Sequence, residues 1–177
     1  MKLSDMKRMN SMNRFEMDNK ARPLYIKYIK EWLNQNKIDY WDVVESNFHQ
    51  DIRESTDIVV IGEKLQLRFS CRVRKYLDIK YKNEFTITVK NPSGAKCEKD
   101  KLFETNVDYN LYAFFDSNKK DFTYYKIYDW IEVKNKLYKN KIKPIYKDIS
   151  SKSGCVFEAY DDDDFKDTII KKGGTNI

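Results

Sequence analysis

An α+β fold, with a central mixed sheet flanked by helices, is what this chain predicts, and three observations carry the prediction. A helix-period apolar stripe opens it, a series of strand-period segments follows, and helix-like material returns near the C-terminus. The stripe is Ala21, Leu24, Tyr25, Tyr28, Ile29 and Trp32, spaced i, i+3, i+4, so a helix is expected over residues 19–35 with Asp18 and Asn19 as caps. Pro23 suits that helix only near its first turn, where its missing N–H is not needed. Residues 37–55 read as a mixed connection whose Tyr40, Trp41, Val43 and Val44 pack on the core.

The period then changes. Residues 57–61 are a short apolar run that ends in the turn Gly62-Glu63-Lys64. From Leu65 to Arg74 the alternation is complete. Leu65, Leu67, Phe69, Cys71 and Val73 point one way, and Gln66, Arg68, Ser70, Arg72 and Arg74 the other. Residues 84–90 alternate again, with Phe85, Ile87 and Val89 on the apolar face, until Asn91-Pro92-Ser93-Gly94 breaks the run. Residues 95–107 read as a loop. Residues 108–115 and 122–128 form two further strands, joined by a hairpin connection at 117–121. A short helix opens near Trp130 and continues its face to Leu137, and Val156-Phe157 is a last strand piece. Asp161–Asp164 oppose the positive end of a helix dipole, so a helix is expected over 162–172 with the acidic run as a solvated cap. Leu67, Phe69, Ile87, Val89 and Leu111 should then share one core, with Tyr28 and Trp32 against the same sheet. Residues 15–172 form a single domain between a flexible N-terminal tail, 1–14, and a loose C-terminal tail, 173–177.

The 177 residues carry a formal charge of +6 and a pI near 9.0; 41% are hydrophobic and 15% aromatic, enough for a packed core and too much for a disordered chain. The charged start and the lack of any apolar run of about 20 residues point to a cytoplasmic protein with no membrane partner. Cys71, Cys97 and Cys155 are odd in number and widely spaced, which argues against a disulfide framework or an all-cysteine zinc site. His49, the only histidine, sits in a polar stretch and reads as a surface residue. Hydrolytic chemistry would therefore fall to carboxylates and an oxygen-bound metal.

Arginine is scarce, 7 residues against 27 lysines, yet Arg68, Arg72 and Arg74 share one strand and one face. Guanidinium groups suit bidentate phosphate contacts, and a basic strip on a sheet face is a nucleic-acid footprint. Lys75 and Lys90 extend it. A solvated outer sheet face would alternate in the same way. A second basic stretch, residues 119–147, interleaves lysines with Tyr124, Tyr125, Tyr128, Trp130, Tyr138 and Tyr146. Lysines among aromatics can track a backbone and stack bases, and they also describe an ordinary amphipathic surface.

A helix, a strand opening on Asp57, a turn, and a strand with alternating polar residues resemble the core of the PD-(D/E)XK (restriction-endonuclease-like) nuclease superfamily. A segment like Glu84-Phe85-Thr86-Ile87 followed by one like 107–115 resembles divergent phage and bacterial members. The resemblance covers residues 18–132. It implies a restriction-endonuclease-like core and a Mg- or Mn-dependent DNA endonuclease site. Asp57 matches the strand aspartate. Gln66-Leu67-Arg68 and Ser70-Cys71-Arg72 compete for the acid-x-Lys triplet, and Ser70-x-Arg72, deeper in the strand, is favoured. Catalysis would then rest on Asp57, Ser70 and Arg72, and metal binding on Asp57, Asp18 and Glu98, with Glu16 second to Asp18. Neither triplet supplies the acid or the lysine, and arginine stays protonated and cannot serve as a base. Two functions follow as expectations. One is a DNA-binding protein with nuclease activity. The other is a catalytically inactive nuclease-like fold that works through a protein partner, as a phage accessory or host-defence inhibitor.

Overall fold

One face of helix α1 (Arg14–Gln35) carries the expected stripe in the computed structural model, which describes residues 14–47, 56–139, 142–150 and 153–174. Most of the N-terminal tail, the end of the C-terminal one and His49 lie outside those residues. The helix begins earlier than expected, so Asp18 and Asn19 are interior residues rather than caps, and Pro23 stands well past the first turn. A mid-helix proline removes one backbone bond, at about 3 kcal/mol in a bare helix. Here Ala21, Tyr25, Tyr28, Ile29, Trp32 and Leu33 are all buried, and that burial offsets the loss.

The helix packs on a six-stranded sheet of order β1-β2-β3-β5-β6-β9. Its strands are β1 (Asp42–Glu45), β2 (Ile58–Ile61), β3 (Gln66–Lys75), β5 (Tyr109–Asp116), β6 (Asp121–Asp129) and β9 (Ile169–Gly173). Strands β1, β2 and β3 form an antiparallel meander, and β5 lies parallel to β3. A parallel neighbour needs a crossover. This one runs through a 3-10 turn (Tyr76–Tyr81), strand β4 (Glu84–Lys90) and short helix α2 (Glu98–Leu102). Strand β4 leaves the main sheet and joins a second one of order β4-β8-β7, with β7 (Tyr146–Ile149) and β8 (Val156–Asp161). Helix α3 (Trp130–Lys139) follows β6 directly.

The protein thus has two cores, one on each face of the six-stranded sheet. Phe69 and Leu111 pack with Tyr28 and Trp32 under α1, with Leu67 partly buried at the edge, as the alternation predicts. Ile87 does not join them. It is buried in the second core with Phe85, Tyr112, Phe114, Tyr128 and Phe165, and Val89 is only half-buried. Strand period alone does not say which sheet a strand joins, and that is why these residues were expected in one cluster.

Other expectations change as well. The 37–55 connection contains β1, and the 95–107 loop contains α2. The C-terminal helix is instead a 3-10 turn (Asp162–Thr168) followed by an antiparallel edge strand, β9. The acidic run is only partly a cap: Asp161 accepts from the Asp163 N–H at 3.0 Å, but Asp162 is buried. The chain is also not loose at 173–174. Gly173 ends β9 against Tyr125, where an added Cβ would lie 2.5 Å from the ring.

Candidate functional site

Strand β3 organises the site because its two faces meet different layers. Phe69, Cys71 and Val73 face α1, while Ser70, Arg72 and Arg74 face β4. The expected arginine strip is therefore not a row facing solvent. Arg72 Nη1 donates to the Thr86 carbonyl at 3.0 Å and to both oxygens of Glu98 at 2.5 Å. Arg74 donates through Nε to the Tyr112 hydroxyl and through Nη2 to Thr86 Oγ1. Arg72 and Arg74 are covered by a layer that sequence periodicity treats as part of the same sheet.

A cleft of about 290 Å³ opens between β3, β4, β5 and α2. Asp57, Ser70, Arg72 and Glu98 all line it, so four of the expected catalytic and metal-site residues converge. Asp57 stands just before β2. Its N–H donates to the Phe69 carbonyl at 2.8 Å, and its Oδ2 accepts from the Cys71 N–H at 2.6 Å. Those bonds hold Asp57 beside the 70–72 triplet and away from 66–68. Glu98 opens α2, and its Oε2 also accepts from the Thr88 N–H at 2.7 Å. Burial works to raise the Glu98 pKa, but the Arg72 charge and the Thr88 bond outweigh it and hold the carboxyl below its usual value. Burial likewise works against the Arg72 charge, and Glu98 more than restores it.

The remaining expected residues do not line this cleft. Asp18, on α1, accepts from the Tyr25 hydroxyl at 3.3 Å and lies 3.6 Å from Arg22. Arg68 is tied through its backbone to Asp108, whose Oδ2 accepts its N–H at 2.7 Å. Lys75 ends β3 half-buried, and Lys90 ends β4 exposed. Among the described residues, no three His, Cys, Asp or Glu side chains converge as a metal site, so the set Asp57, Asp18 and Glu98 is not assembled.

Sequence reasoning missed Asn110 and the α2 contribution. Asn110 is opposite Ser70 in the parallel pairing, is buried, and donates to Ser70 Oγ at 2.6 Å. A lone amide within the apolar run 109–115 was the available signal. Lys101, from α2, also lines the cleft, as do Tyr112 and Trp130.

Beneath the second sheet lies a buried ion pair. Lys126 Nζ reaches both oxygens of Asp162 at 2.8 and 2.9 Å, and the carbonyls of Lys82 and Glu84 at 2.9 and 3.1 Å. The Tyr128 hydroxyl donates to Asp162 at 2.6 Å. Every Lys126 proton has an acceptor, which is the condition for burying a charge. No helix of the described residues is long and apolar enough to cross a membrane. No family model, no curated protein and no solved structure matches the chain.

Proposed function

We propose that this protein binds nucleic acid on a PD-(D/E)XK-like core whose catalytic position is closed by an ion pair, so that it binds without cutting. One observation carries the reading. Asp57 and the Ser70-x-Arg72 triplet line a single cleft, and Glu98 holds Arg72 there with two 2.5 Å bonds. In the superfamily that the sequence resembles, two acids hold a divalent metal and the triplet lysine positions or activates the attacking water. Here serine replaces the triplet acid, which removes a metal ligand, and arginine, which stays protonated and cannot serve as a base, replaces the lysine. Helix α1, strand β2, a turn and strand β3 supply the elements on which the resemblance rests. The charge of +6 supplies the long-range attraction to phosphate. With Arg72 and Arg74 bound internally, that attraction falls mainly to lysines.

Mg or Mn would need Glu98 to leave Arg72 and join Asp57, and so to give up the three hydrogen bonds that it accepts from Arg72 and the Thr88 N–H. The test is titration of labelled DNA and RNA, single- and double-stranded, across about 50–200 mM salt, with EDTA or with Mg. Binding that weakens steeply with salt and ignores EDTA supports the reading; binding that requires the metal opposes it. A second reading, a nuclease-like protein that acts through a protein partner, is favoured by Ile145 and Ile149, both exposed on or beside edge strand β7.

A further inference from the structure

We propose that a second pocket, next to the cleft, receives a base of a single-stranded nucleic acid; this rests on the nucleic-acid-binding reading above. The pocket has a volume of about 270 Å³, near the lower end of ordinary small-ligand sites, roughly 300 Å³. That suits one ring system rather than a large ligand. Its aromatic walls come from four elements: Tyr81 from the 3-10 turn, Tyr112 from β5, Tyr146 from β7 and Phe157 from β8. Tyr81 and Tyr146 are 36% and 37% exposed, so their rings form the rim and reach solvent. Every base has a π face, which makes aromatic side chains sequence-tolerant base platforms.

The polar groups fit the same ligand. Arg74 lies in the pocket with its guanidinium carbon 5.7 Å from the Tyr112 ring centroid. Its bonds to Tyr112 and Thr86 fix the plane of the fork, and among the described residues Nη1 meets no acceptor. That edge can donate to a base carbonyl or ring nitrogen. Glu84 accepts from the Tyr146 hydroxyl at 2.8 Å and so orients that ring. Asp148 offers an acceptor for an exocyclic amine. Aromatic walls and carboxylates would also suit an alkylammonium ion. Arg74 is the one cation among the described lining residues and shares the pocket with two carboxylates, so it is the Arg74 donor edge, which an alkylammonium ion cannot use, that favours a base.

The pocket and the cleft share Thr86 and Tyr112. Arg74 follows Arg72 by two positions on β3, a rise of about 6.6–6.8 Å. A strand lying in the cleft therefore has a base within reach of the pocket.

Fluorescence anisotropy with a labelled single-stranded oligomer, and with the same backbone made abasic, tests the proposal. Wild type should bind the base-containing oligomer more tightly. Tyr146→Ala should weaken that binding by roughly 5- to 100-fold and leave the abasic oligomer unchanged, while Tyr146→Phe, which keeps the ring, should retain most of it. Tyr81→Ala repeats the test if Tyr146→Ala folds poorly. Equal affinity of wild type for the two oligomers overturns the base pocket and leaves the nucleic-acid-binding reading standing. A mononucleotide that binds as tightly as the oligomer overturns the strand as occupant. No binding of either oligomer removes both proposals.

Discussion

On one face of the six-stranded sheet, Phe69, Leu111, Tyr125 and Ile127 meet the aromatic stripe of α1; on the other, Ser70, Arg72, Asn110 and Lys126 meet a second sheet. The same three strands supply both sets. The α1 face is held by apolar burial and ring contacts, such as Trp32 with Tyr109 at 5.1 Å and Tyr28 with Tyr125 at 4.5 Å. The β4 face has an aromatic core of its own, with Phe85 5.4 Å from Tyr160 and 5.0 Å from Phe165, and it also holds charges and hydroxyls that answer one another across a covered layer. Polar alternation along a strand identifies a face, but it does not say whether that face meets water. A charged face that meets another layer must satisfy its groups internally, and Arg72–Glu98 and Lys126–Asp162 do so.

The sharpest contrast between the faces lies in how each breaks. Phe69→Ala should cost about 3–5 kcal/mol through a cavity. Asp162→Ala should cost a similar amount, about 3–5 kcal/mol, for a different reason: it strands the Lys126 charge in the interior. Urea unfolding separates the two. Replacing Lys126 and Asp162 together by apolar residues should recover most of the stability, whereas nothing at a single second site restores Phe69→Ala. A cost below about 1 kcal/mol for Asp162→Ala would contradict the buried clamp.

Acidity gives the next contrast. Burial outweighs the attraction of Asp162 and lowers Lys126 to about 8. An unfolded lysine titrates near about 10.4. Between these values the unfolded chain binds the proton more tightly, so this group makes stability rise with pH from about 8 to about 10. Above that range Tyr128 and Tyr25, both raised chiefly by burial, act in the opposite sense, because the unfolded chain ionises first. Cys71 and Cys97, raised chiefly by burial, also act in that opposite sense from about pH 8.5, so the denaturation midpoint of wild type should rise relative to that of Lys126→Met between about pH 7.5 and 9.5.

Smaller effects belong to the cleft. The sequence suggests that Asp57 is a strand-start residue whose loss costs little. Its carboxylate in fact accepts from the Cys71 N–H, so Asp57→Ala should cost about 1–3 kcal/mol, and Asp57→Asn, which keeps an acceptor, clearly less. Glu98→Gln should cost under about 1 kcal/mol, because that carboxylate is 45% exposed and solvent screens the pair. Its folded pKa is lowered, so its contribution is present above the unfolded value and is lost as pH falls through the folded one. Wild type should therefore lose more stability than Glu98→Gln on acidification below about pH 4.5, as thermal unfolding would record.

What the sequence made legible follows from period and parity. The α1 stripe, the β3 alternation and the placement of Ser70 and Arg72 on one face all rest on side-chain direction, which a strand or helix dictates locally. The layer of β4, the strand character of 169–173 and the partner of Asp162 depend on contacts between distant segments, and no local pattern encodes those. The convergence of Glu98 with Arg72 is of the same kind: residues 26 apart, joined by a helix too short to show a period.

Gel resolution of labelled single- and double-stranded DNA and RNA, incubated with the protein and Mg or Mn, tests most directly the proposal that the protein binds nucleic acid without cutting it. The ion pair at Arg72 predicts intact substrate under conditions where the protein is bound to it. Metal-dependent cleavage by wild type that disappears in the folded Asp57→Asn variant would contradict it.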